Sequence, residues 1–244
     1  MSSETTGPKS QVASLTADDY ARLETLDAEA LVRFGLERFG QRIAIASSFG
    51  LEDVVLIDLA ARTGIPFRVF TLDTGRLNQE TYDLIDRVRN RYGVDIEILF
   101  PDPTEVEPMV RAHGPNLFYD SIELRKRCCH VRKVAPLQRV LSTLNAWMTG
   151  LRRDQNTTRT LVPKVEVEEL TGRLKLSPLA DWTWDAVRAW VRENRVPYSV
   201  LHDRGYPSVG CGPCTRAVSE GEDLRAGRWW WENPETKECG LHVR

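Results

Sequence analysis

The sequence lacks several things, and each absence narrows what the chain can be. No apolar run approaches the length needed to cross a bilayer, which argues against a membrane span. The opening stretch, MSSETTGPKSQVASLTADDY, is polar and has no apolar core of a secretory signal. The cytoplasm is therefore the expected compartment, and residues 1–27 read as a disordered or frayed start. The formal net charge is only -2, so no global field draws the chain to nucleic acid or to a membrane surface. Any anion must be held by local cations. Internal repeats and low-complexity blocks are missing, and so is the G-x-x-x-x-G-K phosphate loop. Cysteine is scarce, with five in 244 residues. In a reducing compartment, metal binding or catalysis explains them better than disulfides.

What is present is ordinary globular composition, 41% hydrophobic and 28% charged, enough for a core. Helical spacing over 28–40 leads to a short apolar strand at 42–46. A Ser/Gly loop, SSFGLED, opens a helix over 51–64. A second strand over 66–72 ends in DTGR, and a helix over 78–93 leads to a third strand over 94–100. This alternation predicts an α/β fold, a doubly wound and mostly parallel sheet. Ligands of such sheets bind beyond the carboxyl ends of the strands. Those ends are SSFG, DTGR, and TGLRRDQ (149–155) after a fourth strand at 144–148. Residues 101–127 are less regular, with SIELRKRCC running into a helix near whose start or break the two cysteines sit. TWDAVRAWVREN (183–194) reads as a helix capped by Thr183. The organisation expected is one α/β domain over 28–217 and a mobile tail over 218–244.

The cysteines are Cys128, Cys129, Cys211, Cys214 and Cys239. The first two lie in RKRCCHVRK, among Arg125, Lys126, Arg127, Arg132 and Lys133. GCGPC (210–214) is a C-x-x-C turn shaped by glycine and proline. Together the two pairs supply four thiolates, enough to close a zinc or a [4Fe–4S] site. A redox pair at C-x-x-C, or two cysteines merely packed in the core, are the plainer readings. The vicinal pair departs from the C-x2–4-C spacing of zinc fingers, which favours a cluster. Cys239, in KECGLH near Lys237 and His242, is either an incidental surface thiol or a nucleophile on an arm. Arg225 and Arg228 could supply an anion-binding floor beside it.

At the strand ends, Ser47, Ser48 and Gly50 precede a helix, whose first backbone N–H groups can cradle phosphate. Leu72, Thr74 and Gly75 occupy the second loop. Arg152, Arg153 and Arg159 occupy the third, where guanidinium forks suit phosphate and sulfate oxygens. Each loop alone is a weak signal and reads equally as a plain connection. Three at the ends of one sheet point to a nucleotide-sized site.

SSFG-x-EDVVL, LDTGRL, KRCCHVRKVAPL, TGLRRDQ, CGPCTR and KECGLH stand in one order from about residue 40 to the end. That series resembles the assimilatory adenylyl-sulfate (APS) reductases of iron–sulfur type and their relatives, the phosphoadenylyl-sulfate (PAPS) reductases. The resemblance implies an adenine-nucleotide fold of the PP-loop type, with SSFG at the nucleotide. It implies a [4Fe–4S] cluster on Cys128, Cys129, Cys211 and Cys214. It implies attack by the Cys239 thiolate on the sulfur of APS, release of AMP, and reduction of the S-sulfocysteine by thioredoxin or glutaredoxin to give sulfite. This would be a step of sulfate assimilation and cysteine biosynthesis. Lys133, Arg152, Arg159, Arg225 and Arg228 would meet the substrate anion, with His242 beside the sulfate. The cluster would order the site rather than pass electrons. PAPS-specific members usually lack the four cluster cysteines, so APS is the expected substrate. A PAPS or dual-specificity reductase is the near alternative. A PP-loop ATP pyrophosphatase expects SGGxDS in place of SSFGLED, and a metal-cluster sensor on nucleic acid expects a basic element. A homo-oligomer is compatible with this reading.

Overall fold

A computed structural model describes residues 15–155, 161–168 and 171–233. Among them, six strands form one sheet in the order β3-β2-β1-β4-β6-β5. The strands are β1 (Ile43–Ala46), β2 (Val69–Leu72), β3 (Ile96–Leu99), β4 (Ala146–Met148), β5 (Val165–Val167) and β6 (Leu174–Leu176). All neighbouring pairs are parallel except β5 with β6. The chain builds outward from β1 through β2 to β3. It then returns to lay β4 on the other side of β1, so the order reverses between β1 and β4. A crevice opens at such a switch point, beyond the carboxyl ends of the two strands.

Strand alternation explains the two helical layers. Ile43 and Ile45 of β1, with Ala146 and Met148 of β4, join one core cluster. That cluster holds buried residues of α2 (Ala28–Phe39), α3 (Leu51–Arg62), α4 (Gln79–Tyr92) and α8 (Trp184–Glu193). Ala44 and Trp147 point the other way and pack on Leu137, Val140 and Leu141 of α7 (Ala135–Leu141). The helix ends follow local chemistry. Asp27 caps α2, and Thr183 caps α8 by accepting from Ala186 N–H. Gly93 closes α4 in the left-handed region (φ 61°), which glycine enters without cost.

The expected helices and first four strands are present, with strand ends trimmed by up to three residues. Four features differ. Residues 1–27 are not frayed throughout: α1 (Ala17–Glu24) carries a capping box between Thr16 and Asp19 and buries Leu23. Residues 1–14 lie outside the described part. The irregular stretch after 100 contains α5 (Pro103–His113), whose Pro108 and single buried residue, Met109, hide its periodicity. The short strands β5 and β6 carry no apolar run, because Lys175 sits within β6, pairing with Glu166 at 3.0 Å and lying over the Trp147 ring. Finally, the tail does not begin at 218. Residues 227–229 and Glu232 are packed into the protein: Arg228 bridges to Thr215, Trp229 is 1% exposed, and Glu232 is buried. The eleven residues from 234 to 244, Cys239 and His242 among them, lie outside the described part.

Candidate active site

A cavity of about 230 Å³ occupies the switch point. Ser47, Ser48 and Gly50 line it from the end of β1, Leu72 from β2, and Thr149, Gly150 and Arg152 from the end of β4. Lys133, Arg225, Arg228 and Trp229 close its other side. The SSFG loop is held from below by Asp53, in the first turn of α3. Asp53 Oδ2 accepts from Ser48 N–H (2.6 Å) and from Ser48 Oγ (2.8 Å). Phe49 takes a left-handed φ of 60°, and its N–H donates to Ser47 Oγ. Two of the loop's N–H groups are thus engaged, one by α3 and one within the loop itself. Burial pushes the Asp53 carboxyl up to about 6, against the hydrogen bonds from Ser48. Gly150 permits β4 to pass close by: a Cβ there would sit 2.6 Å from Asp53 Oδ1 and 2.7 Å from Glu52 Cβ.

Arg152 is 1% exposed and lines the cavity, but its charge is already engaged. Its guanidinium donates to Glu52 Oε1 (2.9 Å), Asp154 Oδ2 (3.3 Å) and the Trp182 carbonyl. Gln155 donates to the same Glu52 oxygen and to the Gly150 carbonyl. Arg152 therefore fastens the β4 loop to α3 and fixes one end of the cavity. Arg153 turns away to Glu24 of α1, and Arg159 lies outside the described residues.

The cysteines converge on the opposite wall. Cys128 and Cys129 end α6 (Ile122–Cys129), which Ser121 caps through Leu124 N–H. A π-helical turn, His130–Val134, follows and carries Arg132 and Lys133. The GCGPC turn is templated by the DTGRLN loop. Gly212 N–H donates to the Arg76 carbonyl (2.8 Å), and Asn78 reaches the Gly210 carbonyl (3.4 Å). A Cβ on Gly212 would meet Asn78 Oδ1 at 2.9 Å. Cys128, Cys129 and Cys214 share one buried cluster with Cys211 packed against it, and none of the four is in a disulfide.

Their electrostatics are unequal. Burial pushes Cys214 up to about 12, helped by the neighbouring Cys211 and Cys129 sulfurs. Cys128 is raised by burial against the pull of Arg132. Cys211 is lowered: burial opposes ionisation, but Lys133, the Thr74 hydroxyl (3.2 Å from its sulfur) and Arg228 outweigh it. Burial and mutual repulsion thus resist ionisation of Cys128 and Cys214. Positive metal charge among the sulfurs would remove that resistance, so the donor set fits a thiolate-held metal group. Among the described residues, no three Cys, His, Asp or Glu side chains are arranged to hold one metal ion.

Two expected substrate residues stand elsewhere. Thr74 is fully buried and faces Cys211, and Gly75 (φ 69°) closes an Asp73 turn. Neither lines the cavity, because their loop is spent on supporting the cysteine turn. Arg225 and Arg228 do line it. Arg228 lies so close to the CGPC backbone that a Cβ on Gly210 would fall 2.3 Å from its Nη2. Lys133 lines the cavity and also hydrogen-bonds Cys211, so one cation serves both walls. Residues not anticipated as contacts include Glu52, Asp53, Gln155, Trp184 and His202 on the lining, and the buried Arg125–Glu232 pair behind it. The acidic pair in SSFGLED and the glutamine in TGLRRDQ were the available signals.

Fold and cavity define an α/β protein with a nucleotide-sized site at the switch point and four thiols behind a cationic wall. The model of the phosphoadenosine phosphosulfate reductase domain matches residues 42–217, and the chain belongs to that family. It is 50% identical over 230 residues to the adenosine 5'-phosphosulfate reductase of Burkholderia cepacia, covering 94% of this chain and 91% of that one. It is 52% identical over 231 residues to the protein of the same name from Allochromatium vinosum, covering 95% and 90%. Among solved structures, a phosphoadenylyl-sulfate reductase from Candida auris is 30% identical, with TM-score 0.71 over 84% of this chain and 98% of that one. An FMN adenylyltransferase from Candida glabrata, 13% identical with TM-score 0.56 over 95% and 82%, shares the fold alone.

Proposed function

We propose that this chain is an adenylyl-sulfate reductase that converts adenosine 5'-phosphosulfate to AMP and sulfite in sulfate assimilation, feeding cysteine biosynthesis. The observation that carries the reading is the shared wall: Lys133 and Arg228 face a nucleotide-sized cavity on one side and the four-thiol set on the other. Relatives with 50% and 52% identity over nearly the whole chain bear the reductase name.

In the first step the Cys239 thiolate attacks the substrate's sulfur. The bond from sulfur to the bridging oxygen breaks, AMP leaves with the electron pair, and Cys239 becomes an S-sulfocysteine. In the second, a thiolate of thioredoxin or glutaredoxin attacks the Cys239 sulfur, sulfite leaves with the pair, and the reductant's second thiol resolves the mixed disulfide. Sulfur falls from S(VI) to S(IV) while the dithiol becomes a disulfide. Both reactants of the first step are anions, so catalysis needs cations fixed where charge gathers on the leaving phosphate. Lys133, Arg225 and Arg228 line the cavity and supply them. His242 and Arg159 are assigned beside the sulfate and phosphate by resemblance alone. Arg152 acts on the pocket's shape through Glu52 rather than as a spare charge. Cys128, Cys129, Cys211 and Cys214 would hold a [4Fe–4S] cluster, whose iron charge lets all four sulfurs ionise together. The reaction belongs in the cytoplasm, where the thiol reductants are.

Single-turnover incubation of anaerobically purified protein with APS, without thioredoxin, tests the reading by intact mass. A sulfonate adduct on Cys239, formed as AMP appears, is the expected result. AMP release at an undiminished rate from Cys239→Ser would overturn the nucleophile. Faster turnover of the 3'-phosphorylated substrate would replace APS by PAPS.

A further inference from the structure

His202 lines the cavity from a 3-10 helical turn, Val200–Arg204. Ser199 caps that turn by accepting from Leu201 N–H, and Gly205 ends it at φ 82°, in the left-handed region. The reversal at Gly205 carries the Tyr206 carbonyl back to the imidazole, 2.7 Å from Nδ1. A carbonyl oxygen can only accept, so the ring's proton sits on Nδ1. Burial holds the imidazole below the usual histidine range, against the Tyr206 carbonyl and the Glu52 and Asp203 charges. The ring is therefore neutral near pH 7, and Nε2 keeps a bare lone pair. That nitrogen is buried and has no hydrogen-bond partner among the described residues. Buried polar atoms are nearly always paired, so an orphan acceptor on a cavity lining suits a donor that arrives with the ligand.

The ligand's own chemistry narrows the choice. The phosphosulfate of APS carries no proton near pH 7, so a bare lone pair cannot hold it. That anion belongs with Lys133, Arg225 and Arg228, whereas His202 feels the charge of Glu52. The donors of an adenine nucleotide are its 2'- and 3'-hydroxyls and its 6-amino group. We propose that His202 is a nucleoside-binding residue whose Nε2 accepts from one of these groups, fixing the nucleoside end of the substrate while the cations take the phosphosulfate end. The proposal rests on the reading of the cavity as an adenine-nucleotide site. A fixed acceptor also discriminates. Where the 3'-hydroxyl is the donor, a 3'-phosphate in its place would set an anion against the lone pair and favour APS over PAPS.

Equilibrium dialysis of anaerobically purified protein tests this with AMP, 2'-deoxy-AMP, 3'-deoxy-AMP and the purine nucleotide that lacks the 6-amino group. His202→Asn keeps a donor where Nδ1 lies and removes the acceptor. His202→Gln places an amide oxygen where Nε2 lies and serves as the conservative rescue. Wild type is expected to bind one analogue about 5- to 10-fold more weakly than AMP, the usual worth of one hydrogen bond. His202→Asn should bind AMP more weakly by a similar factor and lose its preference for AMP over that analogue. The ratio of AMP to adenosine affinity should stay within about twofold, because the phosphate end is distant and independent. His202→Gln should recover most of the loss. Equal affinity of wild type for AMP and all three analogues would overturn the proposal without any variant. So would preferences that persist undiminished in His202→Asn, or a fall in its AMP-to-adenosine ratio, which would make His202 general scaffolding. Failure of wild type to bind AMP would sink the nucleotide reading and the proposal with it. The expected coupling without sulfite formation from APS would uphold the role of His202 and sink the reductase reading instead.

Discussion

Asp53 is the best place to put the physics at risk. It is 8% exposed, and burial lifts its carboxyl from an ordinary value of 3.8 to about 6. A carboxyl that is harder to ionise in the folded state contributes stability that is full below the unfolded pKa. That contribution is lost as pH rises through the folded pKa. At pH 7.5 the raised pKa of Asp53 should therefore cost the fold about 3 kcal/mol, and at pH 5 roughly half as much. Asp53→Asn removes the charge while its amide oxygen can still accept from Ser48 N–H. The variant should be the more stable protein, with an advantage that roughly doubles from pH 5 to pH 7.5. For a chain of this size the advantage at pH 7.5 amounts to a rise in melting temperature of about 6–12 °C. Matched thermal scans of both proteins at four or five pH values would measure it. A gap that does not widen with pH, or a variant less stable at pH 7.5, would refute the reasoning. Either result would mean that the Ser48 hydrogen bonds outweigh desolvation.

Three further outcomes follow from close contacts and shared charges. Gly150→Ala should disturb the α3 terminus, because its methyl would overlap Asp53 and Glu52. A stability loss of about 1–3 kcal/mol and weaker AMP binding are expected, by denaturant titration and dialysis. Lys133→Ala should lower kcat/KM for APS by about 100-fold or more, since it removes a cation at the developing negative charge. Unchanged kcat/KM would refute the role, and Arg127→Ala on the exposed face of α6 serves as the control. Gly210→Ala should push the Arg228 guanidinium off the cysteine turn, raising KM for APS with the melting temperature little changed. Retained KM would mean that the turn yields instead of the arginine.

Fold legibility followed burial. β1, α3 and α4 could be read because their apolar faces are long and end at a glycine or a Ser/Gly loop. Elements with one buried residue or a buried cation could not. α5 hides because Met109 is its only buried residue and Pro108 interrupts it. β6 hides because Lys175 is buried through Glu166 and the Trp147 ring, which a hydropathy pattern scores as a break. The tail boundary fell in the wrong place for a related reason. WWW and the following glutamate have no period, yet Trp229 and Glu232 are anchored by Arg125, more than a hundred residues away.

The site was legible as a set of loops but not as a division of labour among them. SSFG, DTGR and TGLRR all lie at strand ends, and sequence alone makes them equivalent phosphate cradles. The structure separates them by where their polar groups are already spent. DTGR gives the Thr74 hydroxyl to Cys211 and the Arg76 carbonyl to Gly212, so it builds the cysteine turn. TGLRR gives Arg152 to Glu52 and Asp154, so it braces the pocket. The cations that line the cavity come largely from the two cysteine segments, Lys133 after the vicinal pair and Arg225 and Arg228 after C-x-x-C. That allocation explains the basic company of Cys128 and Cys129. Lys133 and Arg228 neutralise sulfur on one side of the wall and face the cavity on the other, so neither wall can be altered without changing the charge seen by its neighbour.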